Sequence, residues 1–230
     1  MASSSACTWP KRAIVASIQY RVAPTARFPE PLEDVKASIR YLKAHADQFG
    51  IDPERIGIIG GSAGGYLTAM AATTSGTKTF DKGDNLQVGS DVKAAVDLYG
   101  LSDLTRIGDD YNDSVKKAHR SAGATEALWV NGSAVFGGHD GGILANPEGA
   151  QKANPITYIS QTSAPLLLMH GTNDTVVSPS QTDLLFQALQ KHHVPSKRYL
   201  VEGAAHGGIY WNQKEVLDII TTFFDSYLKK

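Results

Sequence analysis

The chain has one cysteine, Cys7, among its 230 residues. A single thiol excludes an internal disulfide and any zinc site built from cysteines, and it leaves the redox compartment open. No apolar run approaches the roughly 20 residues needed to cross a bilayer. An excess of charge of one sign is also missing: 22 basic residues face 23 acidic ones, for a net charge of −1. With both signs interspersed, there is no electrostatic footprint for nucleic acid or an anionic membrane surface. Residues 1–6 offer neither a basic n-region nor an apolar h-region, so they do not read as a signal peptide. The chain is expected to be cytoplasmic as it stands, or a mature secreted form. No metal site and no cofactor is expected.

Glycine is plentiful, with 22 residues, and four of them fall within one six-residue stretch. Gly60-Gly61-Ser62-Ala63-Gly64-Gly65 lies between the apolar run Ile56-Gly57-Ile58-Ile59 and a helix-prone stretch over 66–72. A strand, a sharp turn and a helix in that order push one serine hydroxyl out at the end of a buried strand. Small neighbours keep Cβ atoms from colliding across the turn.

The rest of the chain alternates strands with helices. Residues 13–20 read as a buried β-branched strand, 56–59 as the strand before the serine turn, and 93–99, 165–169 and 198–201 as three more. A helix opens at Pro31, carries Leu32, Val35, Ile39, Leu42, Ala46 and Phe49 on one face, and stops at Gly50. Another opens at Ser178-Pro179, with Gln181 read as the far half of a capping box. A last amphipathic helix follows Asn212, the residue read as its cap. The segment 102–154 loses periodicity and reads as an insertion or lid within one domain spanning 1–230. The alternation predicts an α/β fold, a mostly parallel sheet with helices on both faces. Ligands of such sheets bind at the carboxyl ends of the strands.

A serine hydroxyl near neutral pH needs a base to accept its proton, and the base needs orienting. Two later segments stand just past strand ends: His170-Gly171-Thr172-Asn173-Asp174 and Glu202-Gly203-Ala204-Ala205-His206-Gly207. The chain order Ser62, Asp174, His206 assigns a nucleophile, an orienting carboxylate and a general base. His170 is the competitor for the base and reads as a residue bonded within its own loop. His119 and His139 fall in the irregular region with nothing nearby to orient them. Asp97 and Asp103 are alternative turn-forming carboxylates. Tyr210, Trp211 and Trp129 are candidates to line a substrate pocket.

The strings GGSAGG, HGTND and EGAAHG resemble the α/β-hydrolase carboxylesterases, in particular the hormone-sensitive-lipase-like esterases and the esterases that deacetylate xylan or release ferulate. Supporting stretches are ASIQYRVAP at 16–24, FPEPLED at 28–34, DPERI at 52–56 and ANPITYIS at 153–160. The resemblance implies a serine esterase with Ser62, Asp174 and His206 as its triad and the Ala63 N–H as an oxyanion donor.

Relatives of that kind begin with about three further strands, and a His-Gly-Gly motif after the third completes the oxyanion hole. Here the strand over 13–20 looks like the family's fourth, and no His-Gly-Gly precedes Ser62. Three outcomes are open: the strand over 13–20 pairs directly with the nucleophile strand, a second copy covers the exposed edge, or the chain is a fragment of a longer product. A shortened or rearranged sheet with self-association is the expectation. The leading function is hydrolysis of short acetyl- or feruloyl-type esters, including carbohydrate-linked ones. Trp129, Val130, Val135 and Phe136 among glycines suit a small, moderately polar ester. A prolyl-oligopeptidase-like peptidase and a non-catalytic binding protein, as the gibberellin receptors resemble, are the alternatives.

Overall fold

The computed structural model describes residues 13–229. Cys7 and the first six residues lie outside that range.

Among the described residues, four strands form one parallel sheet in the order in which they occur: β1 (Gly57–Gly61), β2 (Ala94–Leu98), β3 (Leu166–Gly171) and β4 (Ser196–Val201). The two inner strands, AAVDL and LLLMHG, are buried almost throughout, as a strand covered on both faces must be. The outer two are only partly buried.

Eight α-helices accompany them among the described residues: α1 (Glu30–Ala44), α2 (Ala46–Phe49), α3 (Ala63–Thr73), α4 (Asp113–His119), α5 (Thr125–Asn131), α6 (Pro147–Lys152), α7 (Ser180–Lys191) and α8 (Lys214–Leu228). Leu32, Val35 and Ile39 of α1, Leu67 and Met70 of α3, and Leu185 and Leu189 of α7 join Ala95, Leu166 and Leu168 in the larger core. Val216, Ile220 and Phe223 of α8 pack with Ala94, Val96, Leu167 and Met169 in a second core. Alternate residues of the inner strands thus feed opposite layers, and the sheet is helix-covered on both faces as the sequence predicts. Gly50 ends α2 in the left-handed region, φ 64°.

Three expectations need correction. First, residues 13–20 form no strand. Ile14 and Val15 are 63% and 62% exposed, while Ile18 and Tyr20 lean on the core. The segment is instead held through Arg21, which forks onto Asp34 (2.8 Å) and reaches Glu30 (2.9 Å) on α1. An apolar β-branched run becomes a strand only when a neighbour accepts its backbone hydrogen bonds. Among the described residues nothing pairs with the outer edge of β1, so direct pairing of this segment with the nucleophile strand is not what the chain does.

Second, Gln181 does not complete a capping box. Its Oε1 accepts from the N–H groups of Ser102 and Asp103, both at 2.9 Å. The Ser178 hydroxyl still accepts from the Ser180 N–H at 3.2 Å. Third, Asn212 makes no cap: it ends a 3-10 turn over Ile209–Asn212, and Gln213 takes the cap position of α8 without a side-chain bond.

Candidate active site

Ser62 sits between β1 and α3 with φ 56° and ψ −121°. A non-glycine residue at positive φ is uncommon and costs backbone energy. The surroundings hold it there. Its N–H donates to Leu98 O on β2 at 2.9 Å, and its carbonyl accepts from Tyr66 N–H at 2.9 Å. The glycines divide by role. A Cβ on Gly60 would strike the Gly64 carbonyl, one on Gly61 would lie 2.6 Å from the Tyr99 hydroxyl, and one on Gly65 would strike Asp97 Oδ1. Gly64 faces open space, so the turn does not require a glycine there for want of room.

The end of β3 delivers Asp174, and the loop after β4 delivers His206. His206 Nε2 lies 2.8 Å from Ser62 Oγ, and its Nδ1 lies 2.7 Å from Asp174 Oδ2. Residues separated by 112 and 32 positions in the chain meet because three parallel strands end on one side of the sheet.

The Asp174 carboxylate is buried. Its Oδ1 accepts from Val176 N–H (2.9 Å) and Val177 N–H (3.0 Å). Its Oδ2 faces His170 Nε2 (3.2 Å) as well as His206. Burial alone would push its pKa up, but hydrogen bonds from His170, His206 and the two backbone amides outweigh burial and hold it well below the usual carboxylate range. It is therefore a fixed negative charge at any ordinary pH.

Tyr99, unremarked in the sequence, closes β2 at φ 45°. Its ring meets His206 edge-on at 4.9 Å and Trp211 at 4.5 Å. Trp211 is buried and donates from Nε1 to Ala205 O at 3.0 Å. The two rings pack beside the imidazole, Tyr99 against both His206 and Trp211. Trp129 is also buried and packs edge-to-face on Tyr66 at 5.6 Å. Val130 is buried too, whereas Val135 and Phe136 are exposed. Tyr210 is 42% exposed beside Gly203. The Ala63 N–H opens α3, where helix geometry leaves it no intrahelical acceptor.

The 102–154 segment touches the acid loop. Tyr111 Oη donates to Asp174 O at 3.0 Å, and Asp110 accepts from the Ser178 hydroxyl. His119 is not without an orienting group: Glu126 Oε1 lies 2.7 Å from its Nδ1. The signal for Tyr99 was its place in Asp97-Leu98-Tyr99-Gly100, just past a strand end. No sequence pattern pointed to Tyr111.

The sequence matches the BD-FAE family model over residues 6–189. It is 33% identical over 168 residues to a probable carboxylic ester hydrolase, LipM, of Mycobacterium tuberculosis. That match covers 73% of this chain and 35% of LipM; the chain spans less than half the length of the first curated relatives it matches. A truncated form of a carbohydrate esterase from gut microbiota superimposes with a TM-score of 0.79 at 29% identity, covering 93% of this chain and 74% of that one. A bifunctional GH43-CE protein of Bacteroides eggerthii gives 0.78 at 28% identity, covering 92% and 27%. Matched by the family model over most of its length, and built on the same parallel sheet as these neighbours, the chain belongs to the BD-FAE family and has the α/β-hydrolase fold.

Proposed function

We propose that the chain is a serine carboxylesterase that hydrolyses short acyl esters of the acetyl or feruloyl type, carbohydrate-linked esters among them. The observation that carries this reading is the unbroken hydrogen-bond line from Ser62 Oγ through His206 to Asp174, at 2.8 and 2.7 Å, ending on a serine held at positive φ.

The chemistry follows from that line. As Ser62 Oγ bonds to the ester carbonyl carbon, its proton passes to His206 Nε2. Asp174 keeps the Nδ1–H tautomer and stabilises the imidazolium. The carbonyl oxygen becomes an oxyanion, for which the Ala63 N–H at the positive end of α3 is a donor. The tetrahedral species collapses, the C–O bond to the alcohol breaks, and His206 returns the proton to the departing alkoxide. Water then enters and gives a proton to His206, and its oxygen bonds to the acyl carbon. The second collapse frees the carboxylic acid and returns the proton to Ser62.

The short-ester assignment is supported by the ester-hydrolase and carbohydrate-esterase names of the relatives. An intact hydrogen-bond line also weighs against a non-catalytic binding role. The test is hydrolysis of p-nitrophenyl acetate, methyl ferulate, acetylated xylan and a prolyl-amide peptide by wild type and Ser62→Ala. The ester rates should fall at least about a thousandfold in the variant. Equal rates in the two proteins would sink the proposal, and turnover of the amide alone would transfer it to a peptidase.

A further inference from the structure

We propose that His170 is a positioning residue for this site: its Nε2–H pins Asp174 Oδ2 in register with His206, and Thr182 and Arg198 fix its tautomer. The inference rests on the hydrolytic reading of Ser62 and deepens it.

His170 lies in β3 with its side chain wholly buried. Its Nε2 is 2.9 Å from Val177 O and 3.2 Å from Asp174 Oδ2. Both partners are acceptors only, so the ring hydrogen belongs on Nε2 and is shared between them. On the other side, Nδ1 is 3.3 Å from Thr182 Oγ1. That hydroxyl already receives Arg198 Nε–H at 3.2 Å. Its own hydrogen can reach Pro179 O (3.1 Å) or His170 Nδ1, and Pro179 O also accepts from Arg198 Nη2 at 2.8 Å. The Thr182 hydroxyl is thus the donor available to Nδ1.

The charges around the ring are Asp174 on one side and the Arg198 guanidinium behind Thr182 on the other. Asp183 pairs with Arg198 at 3.2 Å; Tyr111 bonds to the Asp174 backbone, Tyr99 lies against His206, and Asp110 accepts from Ser178. With Nδ1 accepting from Thr182, the ring meets Asp174 as an Nε2–H donor. Four donors then fix both carboxylate oxygens: two backbone amides on Oδ1 and two imidazoles on Oδ2. Turning the carboxylate away from His206 would break several of these bonds at once.

Packing alone would be served by any ring of this size, and that difference is measurable. His170→Phe fills the space and donates nothing; His170→Gln places an amide N–H near the lost Nε2. With p-nitrophenyl acetate, the Phe variant should lose about 10- to 100-fold in kcat with KM little changed, the usual scale for a hydrogen bond to a charged group. The acid limb of its kcat/KM profile should move to higher pH, because a carboxylate relieved of one donor holds an imidazolium more tightly. The Gln variant should recover most of both. A Phe variant with the wild-type kcat and profile overturns the proposal, as does a folded Gln variant as impaired as Phe.

Imidazole nitrogen and proton NMR of the wild-type protein supplies a readout that needs neither turnover nor a variant that folds. It should show His170 as the Nε2–H tautomer and a low-field Nδ1–H resonance for His206. The opposite His170 tautomer would also overturn the inference. If wild type hydrolyses no ester while the NMR result stands, the esterase reading fails and the placement of His170 survives.

Discussion

Asp97 is the last residue but one of β2, inside the protein, and its carboxylate accepts from the Gly100 N–H at Oδ1, 2.8 Å. Its Oδ2 is buried and has no hydrogen-bond partner. Burial pushes its pKa up to about 7, against the lowering effect of the Gly100 amide. The folded chain therefore keeps this proton up to about pH 7, whereas an unfolded chain releases it near pH 4. Across that window the folded state binds more protons, so the group's contribution to stability falls as pH rises and levels off above about pH 7. Asp97→Asn cannot ionise and should escape the loss. Between about pH 4 and pH 8 it should gain about 4 kcal/mol on wild type in urea unfolding; parallel pH dependences would refute the assignment. Asp174 runs the opposite way. Its pKa is held low, so its stabilisation is present above the usual carboxylate range and is lost only as acid brings pH down through its depressed value. From sequence Asp174 reads as the orienting carboxylate and Asp97 as an alternative turn-forming one. What separates them is the number of donors around each carboxylate, a property of tertiary contacts.

At the level of elements, local chemistry made most of the fold legible. Hydrophobic periodicity located α1, α7 and α8, a helix-prone stretch after the serine turn located α3, and short apolar runs located β1 to β4. What failed were features whose outcome depends on a distant partner. Residues 13–20 have strand composition and lack a neighbour to pair with. Gln181 has capping-box spacing, but Ser102 and Asp103 offer its side chain two amides. His119 found its partner, Glu126, seven residues on, where a reading of irregular sequence had no geometry to place it. The outer edge of β1, with Ile59 37% exposed, is an unpaired row of backbone groups among the described residues. Such edges invite pairing. Sedimentation velocity should show concentration-dependent dimers, and Ile59→Lys, placing a charge on that edge, should suppress them. A chain that stays monomeric at every concentration would contradict association through this strand.

Over the whole molecule, one sheet divides two packed layers and gathers every candidate catalytic group at its carboxyl end. The order Ser62, Asp174, His206 was readable because each residue follows a strand, and parallel strands place such residues together whatever their separation in sequence. His170 was legible as a residue bonded within its own loop, whereas the places of Tyr99 and Tyr111 were not, since such aromatic residues have no spacing rule of their own. The central claim is that Ser62 is a nucleophile activated by His206. Treatment with a fluorophosphonate, followed by peptide mass spectrometry, tests it without knowledge of the natural ester. The account predicts one adduct, on Ser62, absent in Ser62→Ala and formed far more slowly in His206→Ala. Failure of wild type to react, or labelling at another residue that persists in Ser62→Ala, would contradict it.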